Sequence, residues 1–349
     1  MSKKVYVGMS GGVDSSLTAA LLVEQGYEVT GVYMKNWSQD VPGMHCPWAE
    51  DLADAKRVAV HLGIPFKVYD FQSEYKQLVV DYLISEYQLG RTPNPDIMCN
   101  QEVKFGLFLK AALADGADQI ATGHYARASG NKLLRAVNEA KDQTYFLYRI
   151  DGMAVSKTLF PIGKYKTKDE VRADAAKFGL STATKHDSQG ICFIGTVSIK
   201  DFLKQYVKTE PGDIIDRDNG RCLGQHEGAL FYAFGQRHGL NVGGGLPYYV
   251  VEKDMANNIV YVSRNLNSQG FWNSELRLSN LHWINQAPRE GRNYQIRVRH
   301  RAPLTEASII FEDEDKILVK PSIPERAVAS GQSVVIYDGE EVLGGGIVM

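Results

Sequence analysis

Along the first half of the chain, short apolar runs alternate with longer stretches in which apolar side chains return every three or four positions. The runs VYVG at 5–8, VTGVYM at 29–34, FKVYDF at 66–71 and QIATGHYA at 119–126 read as strands. Between them, LTAALLVEQG places Leu17, Leu21 and Leu22 at helical spacing and stops at Gly26. DLADAKRVAVHLG predicts a helix ending at Gly63, a longer helix covers about 73–87 and stops at Gly90, and another passes through Phe105, Phe108, Leu109 and Leu113 to Gly116. Thr167 and Glu170 stand at capping-box spacing and open a helix that runs to Phe178 and stops at Gly179. This alternation predicts an α/β fold built on a doubly wound parallel sheet.

After a short helical stretch at 198–206 the pattern shortens to the period of strands. Asp218, Asn219 and Gly220 form a hairpin signal, and glycines cluster from 235 to 245, as in a small β-rich domain. From 271 onward NYQIRVRHR, EASIIFE, KILVKP and QSVVIYDGEEVLGGGIV alternate with turns, the texture of a β-barrel. The expected division is 1–197, 198–270 and 271–349. A chain of 349 residues supports that count, because single cores rarely grow past about 250 residues. No repeat or low-complexity segment interrupts it.

Composition narrows the class without naming a chemistry. Thirty-nine basic side chains face 41 acidic ones, which excludes a uniformly basic nucleic-acid coat but not a local patch. No apolar run is long enough for a membrane span, and the start MSKKVYVG lacks a signal-peptide core, so a cytoplasmic protein without membrane contact is expected. Cys46, Cys99, Cys192 and Cys222 are scattered, without CxxC or zinc-like spacing. In a reducing compartment such thiols are either packed or reactive.

The candidate chemistry starts at SGGVDSS, between the first strand and the first helix. Helix N-termini attract anions, Gly11 and Gly12 let backbone approach a phosphate, and Ser10 and Ser15 add hydroxyl donors. The spacing is not that of a Walker A motif. SGGVDSS resembles instead the pyrophosphate-binding loop of the ATP pyrophosphatases, which implies adenylation of a carbonyl oxygen. Two further segments carry thiols. GRTPNPDIMCN reads as a stiff loop with Asp96 and Cys99 three residues apart, and KHDSQGICFIG leads to Cys192. Each cysteine alone is more often a packed thiol than a nucleophile; beside an ATP-activating loop, a thiolate or persulfide is what sulfur-for-oxygen exchange requires. Lys185 and His186 precede Cys192 and are candidates for favouring its thiolate.

SGGVDSS, GRTPNPDIMCN, ATGHYA, KDQTYFLY, DSQGICFIG and FGQRHGLNVGGGLPYYV, in this order and over nearly the whole length, resemble the bacterial tRNA-specific 2-thiouridylases. The resemblance implies an ATP-pyrophosphatase domain, a small central domain and a C-terminal β-barrel. It implies adenylation of the C2 oxygen of the wobble uridine of tRNA, then entry of sulfur and release of AMP. By motif, Cys192 would hold the persulfide and Cys99 the second thiol, with a transient disulfide between them; hydrosulfide release and direct persulfide attack both stay open. ATP would lie on Gly8, Met9, Ser10, Gly11, Gly12, Val13, Asp14 and Ser15, with its base at Met34 and with Gly123 lining the crevice. Magnesium would accompany ATP, its protein ligands unknown. A sulfur-donor protein, either a relay protein or a cysteine desulfurase, would load Cys192, and the enzyme would be a monomer by default.

For tRNA, the resemblance implies contacts from Asn94, Pro95, Asp96, His124, Asp142, Gln143, Thr144, Arg299, His300 and Gln332. Asp96 is either a general acid or base near the uracil or a turn aspartate that satisfies backbone N–H groups. Alternation over NYQIRVRHR puts Gln295, Arg297, Arg299 and Arg301 on one face, which reads as a phosphate-binding surface or as a solvated strand face. Cys46 and Cys222 have no role in this scheme, and Trp37 and Trp48 are expected to pack. Two other readings compete: an amide-forming ATP pyrophosphatase of the GMP synthetase kind, which leaves both cysteines idle, and an RNA-binding protein with a degenerate loop.

Overall fold

The computed structural model describes residues 2–39, 47–186, 198–243, 245–265, 267 and 271–349. Strands β1 (Lys4–Gly8), β2 (Glu28–Lys35), β3 (Phe66–Asp70) and β4 (Gln119–Thr122) are joined, beyond a hairpin β5 (Arg127–Ser129) and β6 (Lys132–Leu134), by the short β7 (Thr158–Leu159). The order is β3-β2-β1-β4-β7 and every pairing is parallel. Helices cover both faces, so the central strands β1 and β2 are buried nearly throughout instead of alternating. Helices α1 (Val13–Glu24) and α2 (Trp48–Leu62) pack on Val5, Val7 and Val29. Tyr6, Val32 and Met34 face a second layer that contains Tyr75, Val103 and Phe108. Strand order reverses between β1 and β4, which opens a crevice at their carboxyl ends.

Part of the second layer differs from its expected form. GRTPNPDIMCN is a loop only as far as Asn94; a helical rod then runs through Pro95–Met98, a π-helical stretch Cys99–Leu107 and Phe108–Ala114. The Asn94 side chain accepts from the amides of Asp96 and Ile97 at 3.0 and 3.3 Å, and Pro95 occupies the first helical position. Proline there has its φ preset and lacks only an N–H that would be orphaned anyway, so the rigid element is a helix start. Asp96 and Cys99 therefore ride on the rod's first turns.

The central domain is a sheet of order β10-β11-β8-β9, made of β8 (Gly212–Asp216), β9 (Cys222–His226), β10 (Tyr249–Asp254) and β11 (Ile259–Ser263). The hairpin signal lies between β8 and β9, with Gly220 at φ 71°. A two-strand ribbon, β12 (Trp272–Asn273) with β17 (Glu325–Arg326), follows. The C-terminal barrel comprises β13 (Leu276–Trp283), β14 (Asn293–Arg297), β15 (Thr305–Phe311), β16 (Ile317–Pro321), β18 (Ser333–Asp338) and β19 (Glu341–Val348), and a β13–β19 pairing closes it.

The hairpin β5–β6 belongs to the first domain in sequence but to the barrel in space. Leu134 and Leu133 pair with Glu341 and Val342 of β19. Arg127 meets Glu340 and Lys132 meets Glu341, each at 2.7 Å. Strand β14 also departs from the sequence reading. It ends at Arg297, which is buried; Arg299 is exposed, and the chain turns at Arg301 with φ 63°. The arginines thus do not share a face, because the alternation stops where the strand stops. Among the described residues, no helix is long and apolar enough to cross a membrane.

Candidate functional site

The glycine-serine loop sits where β1 ends and α1 begins, at the mouth of the crevice. Gly12 is the helix N-cap and supplies no side-chain acceptor. Gly11 has φ 75°, and a Cβ there would stand 2.4 Å from the carbonyl oxygen of Asp51 on α2. At the end of β4, a Cβ on Gly123 would lie 2.7 Å from the amide nitrogen of Ser15. Both glycines let neighbouring backbone close around the positive end of α1. Ser15 Oγ accepts from the Ser10 amide at 3.1 Å and lies 3.2 Å from Ser10 Oγ, so the two serines brace the loop. β2 outruns β1, whose pairing ends at Val32, and Met34 lies past that point. Asn36 follows it, buried, and neither amide atom of its side chain has a partner among the described residues.

Asp14 does more than serve the loop. Lys168 Nζ lies 2.8 Å from each of its carboxylate oxygens, and Tyr125 OH donates to Oδ1 at 3.1 Å. Lys168 begins the helix Lys168–Lys177, capped as expected by Thr167 and Glu170. Neither Lys168 nor Tyr125 could be singled out from sequence: no local pattern reports a partner in another element.

Cys99 is fully buried at the start of the π-helical stretch. Such stretches are rare and concentrate at functional sites. Next to it, Asn100 Nδ2 donates to the carbonyl of Phe146 at 3.1 Å. Asp96 is half-buried one turn before the cysteine, and Asn94 Oδ1 is engaged as the cap, with Pro95 buried behind it. His124 stands just past β4, its Nδ1 2.8 Å from Thr122 Oγ1 and its ring centroid 5.6 Å from that of Phe105 on the rod. Burial, reinforced by Lys104, holds its pKa well below the usual histidine value, so the ring is neutral at neutral pH.

The tRNA candidates separate into inward and outward groups. Asp142 is buried: it accepts from the Ala136 amide and from Thr144, and it pairs with Arg297 at 2.9 Å. Thr144 is buried with it. Gln143 Oε1 accepts from the Tyr125 amide at 2.9 Å, and Gln332 Oε1 from the Ala329 amide at 3.0 Å. Arg299 is exposed and His300 half-buried. Trp37 packs edge-on against Tyr75 and Phe202, and Trp48 is partly buried, as expected.

Lys185 Nζ is committed elsewhere than to a thiol. It binds Asp51 at 2.7 Å and Asp54 at 2.6 Å. Burial works against its charge, but the two carboxylates outweigh that and raise its pKa. This ties the chain before residue 187 to α2, behind Gly11. Cys192 and Cys46 lie outside the described residues. Cys222 is exposed on β9. Among the described residues, no group of three or more His, Cys, Asp or Glu side chains could hold a metal ion.

Three sequence-family profiles match the chain: "tRNA methyl transferase HUP domain" over residues 3–196, "tRNA methyl transferase PRC-barrel domain" over 200–264 and "Aminomethyltransferase beta-barrel domain" over 273–348. Curated relatives extend over almost the full length. The tRNA-specific 2-thiouridylase MnmA of Bacillus cytotoxicus is 43% identical, across 98% of this chain and 93% of its own. Those of Actinobacillus pleuropneumoniae serotype 3 and Bacillus subtilis are 45% and 44% identical, each across 99% of this chain and 91% and 94% of their own.

Proposed function

The chain belongs to the tRNA-specific 2-thiouridylase family, and on that premise we propose that it is a tRNA-uridine 2-sulfurtransferase that uses ATP to replace the C2 oxygen of the wobble uridine with sulfur. The observation that carries the nucleotide half is the loop at the strand-order reversal, where Gly11 and Gly123 admit backbone to the positive end of α1. Residues 8–15 cradle the triphosphate there, Met34 meets the base, and the side-chain amide of Asn36, without a partner among the described residues, stands beside it. Lys168 offsets the charge of Asp14, without which a carboxylate at the loop would repel the incoming phosphates. Magnesium travels with the phosphates; the described residues form no cage for it.

In the first step, uracil O2 attacks the α-phosphorus, the bond to the β-phosphate breaks, and pyrophosphate leaves. The uridine must swing out of its stack for this. In the second, the Cys99 thiolate attacks the sulfur of Cys192 in the Cys192 persulfide, which forms a Cys99–Cys192 disulfide and expels hydrosulfide. Hydrosulfide adds at C2 and AMP departs with the former O2; a cellular thiol reductant then restores both cysteines. Direct attack on C2 by the terminal sulfur of the persulfide is the other route and needs the same two residues nearby. Because Cys99 is buried, it has to be uncovered before either route proceeds. Asp96 moves a proton at the uracil, and His124, Gln143, Arg299, His300 and Gln332 hold the RNA. A sulfur-donor protein loads Cys192. These substrates place the enzyme in the cytoplasm. The catalytic unit is 1–197, the central domain 198–270 and the RNA-contacting barrel 271–349.

Methyl transfer, the wording of two profile descriptions, would leave the C2 oxygen in place and give neither thiol a task. The deciding experiment incubates the purified enzyme with unmodified tRNA, ATP, magnesium and a persulfide source, followed by nucleoside mass analysis. ATP-dependent 2-thiouridine is expected, and Cys192→Ser is expected to abolish it while ATP and tRNA still bind. Methylated uridine, or wild-type thiolation by Cys192→Ser, would overturn the proposal.

A further inference from the structure

A line of rings and cations leads away from Cys99 across the domain boundary. Asn100 tethers the turn that carries Phe146 to the rod. The Phe146 ring lies 4.5 Å from that of His300, at 41° between planes, and both residues are half-buried. His300 Nδ1 is buried without a hydrogen-bond partner among the described residues. Burial, and next the charges of Arg301 and Arg297, push its pKa down to about 4, so the imidazole stacks as a neutral ring. Arg299, adjacent in sequence and exposed, donates to the carbonyl oxygen of Arg326. Arg326 is itself exposed, with its guanidinium held 5.0 Å from the Phe271 ring centroid and 5.4 Å from that of Tyr249. Directly across the β12–β17 ribbon from Arg326 stands Trp272, a large apolar ring left 47% exposed. The acid on the ribbon, Glu325, is half-buried and accepts from Thr305 Oγ1 at 2.6 Å.

We propose that Phe146, His300, Arg299, Arg326 and Trp272 form a track for the single-stranded part of the anticodon loop, with bases stacked on the rings at either end and phosphates on the two arginines between them. The assignment rests on the tRNA reading above and adds two stacking sites and a direction to it. Single-stranded RNA offers this repeat of π-faces and negative charges, and it is read by aromatic stacking together with guanidinium contacts. The partner's charge follows from the track's, since its two cations are exposed while its acid is half-buried and engaged by Thr305.

The test uses the full-length enzyme and an unmodified anticodon stem-loop carrying 2-aminopurine beside the wobble uridine. Phe146→Leu and Trp272→Ala are each expected to weaken binding about 10-fold, Phe146→Leu with loss of fluorescence quenching, and Trp272→Phe to keep most of the affinity. Arg326→Gln is expected to lower the slope of log Kd against log salt by about 1. ATP binding serves as the control for folding; should Phe146→Leu lose it, the Trp272 and Arg326 variants decide. Wild-type affinity and salt slope in those variants, with a wild-type enzyme that thiolates tRNA, would overturn the track but leave the activity standing. Absence of thiolation by the wild-type enzyme would instead remove the activity. Normal tRNA binding with thiolation lost only when sulfur comes from a donor protein, and not from free sulfide, would make this a protein-docking face and also refute the track.

Discussion

At the residue scale, Gly123 shows how one missing methyl group shapes a binding loop. Its absent Cβ would lie 2.7 Å from Ser15 N and 2.8 Å from the carbonyl carbon of Asp14, both backbone atoms that yield only if the end of β4 and the start of α1 move apart. Overpacking of this kind costs about 1–3 kcal/mol. Gly123→Ala is therefore expected to weaken ATP binding about 10-fold or more, measured by equilibrium titration, with tRNA affinity unchanged. Wild-type ATP affinity would show that the loop tolerates a wider crevice. The family resemblance put Gly123 beside the crevice; the contact that forbids a side chain became visible only with α1 packed across β4.

At the level of elements, α1 and the helix Lys168–Lys177 are joined by the Lys168–Asp14 pair, with both side chains half-buried. Capping by Thr167 and Glu170 fixes where that helix starts, and so where Lys168 projects. Removing the ammonium leaves the Asp14 carboxylate unbalanced at the loop to which the proposed function assigns the triphosphate. Lys168→Met is expected to weaken ATP binding about 5-fold, as one lost charge pair of about 1 kcal/mol implies, with Lys168→Arg recovering part of the loss. A variant with unaltered ATP affinity would assign the pair to fold stability alone. The cap was legible from residues three apart, whereas its functional consequence was not, since Asp14 lies far away in the chain. The rod behaves the same way. Asn94 and Pro95 carry an evident helix-start signal, but reading the two prolines as a rigid loop placed Cys99 on the wrong element.

Across the whole molecule, the catalytic domain and the barrel are fastened by the β5–β6 hairpin and by the Asp142–Arg297 pair, whose side chains are 0% and 7% exposed. Tyr145 adds a hydrogen bond to the carbonyl of Ser333 at 2.9 Å, and Tyr148 lies 3.1 Å from the Ser333 hydroxyl. KDQTYFLY therefore acts largely as mortar between domains, which sets the barrel's angle to the crevice. Breaking a buried pair from one side costs about 3–5 kcal/mol, because the remaining charge stays buried. Arg297→Met is expected to lose that much in urea denaturation and to separate the unfolding of the barrel from that of the catalytic domain. A single transition at the wild-type midpoint would contradict this coupling. What the sequence by itself determined was the alternation of strands and helices, the glycine-serine turn between β1 and α1, the caps and the barrel's texture. Each depends on neighbours within a few residues, where burial of one face and the needs of backbone N–H groups leave a periodic trace. Only the tertiary structure decided that Arg297 is buried instead of facing RNA, that Lys185 binds two aspartates, that Lys168 reaches Asp14, and that a hairpin from the first domain pairs with the start of β19. Those outcomes turn on which distant group satisfies a charge or a strand edge, and no local periodicity records a partner that arrives from another part of the chain.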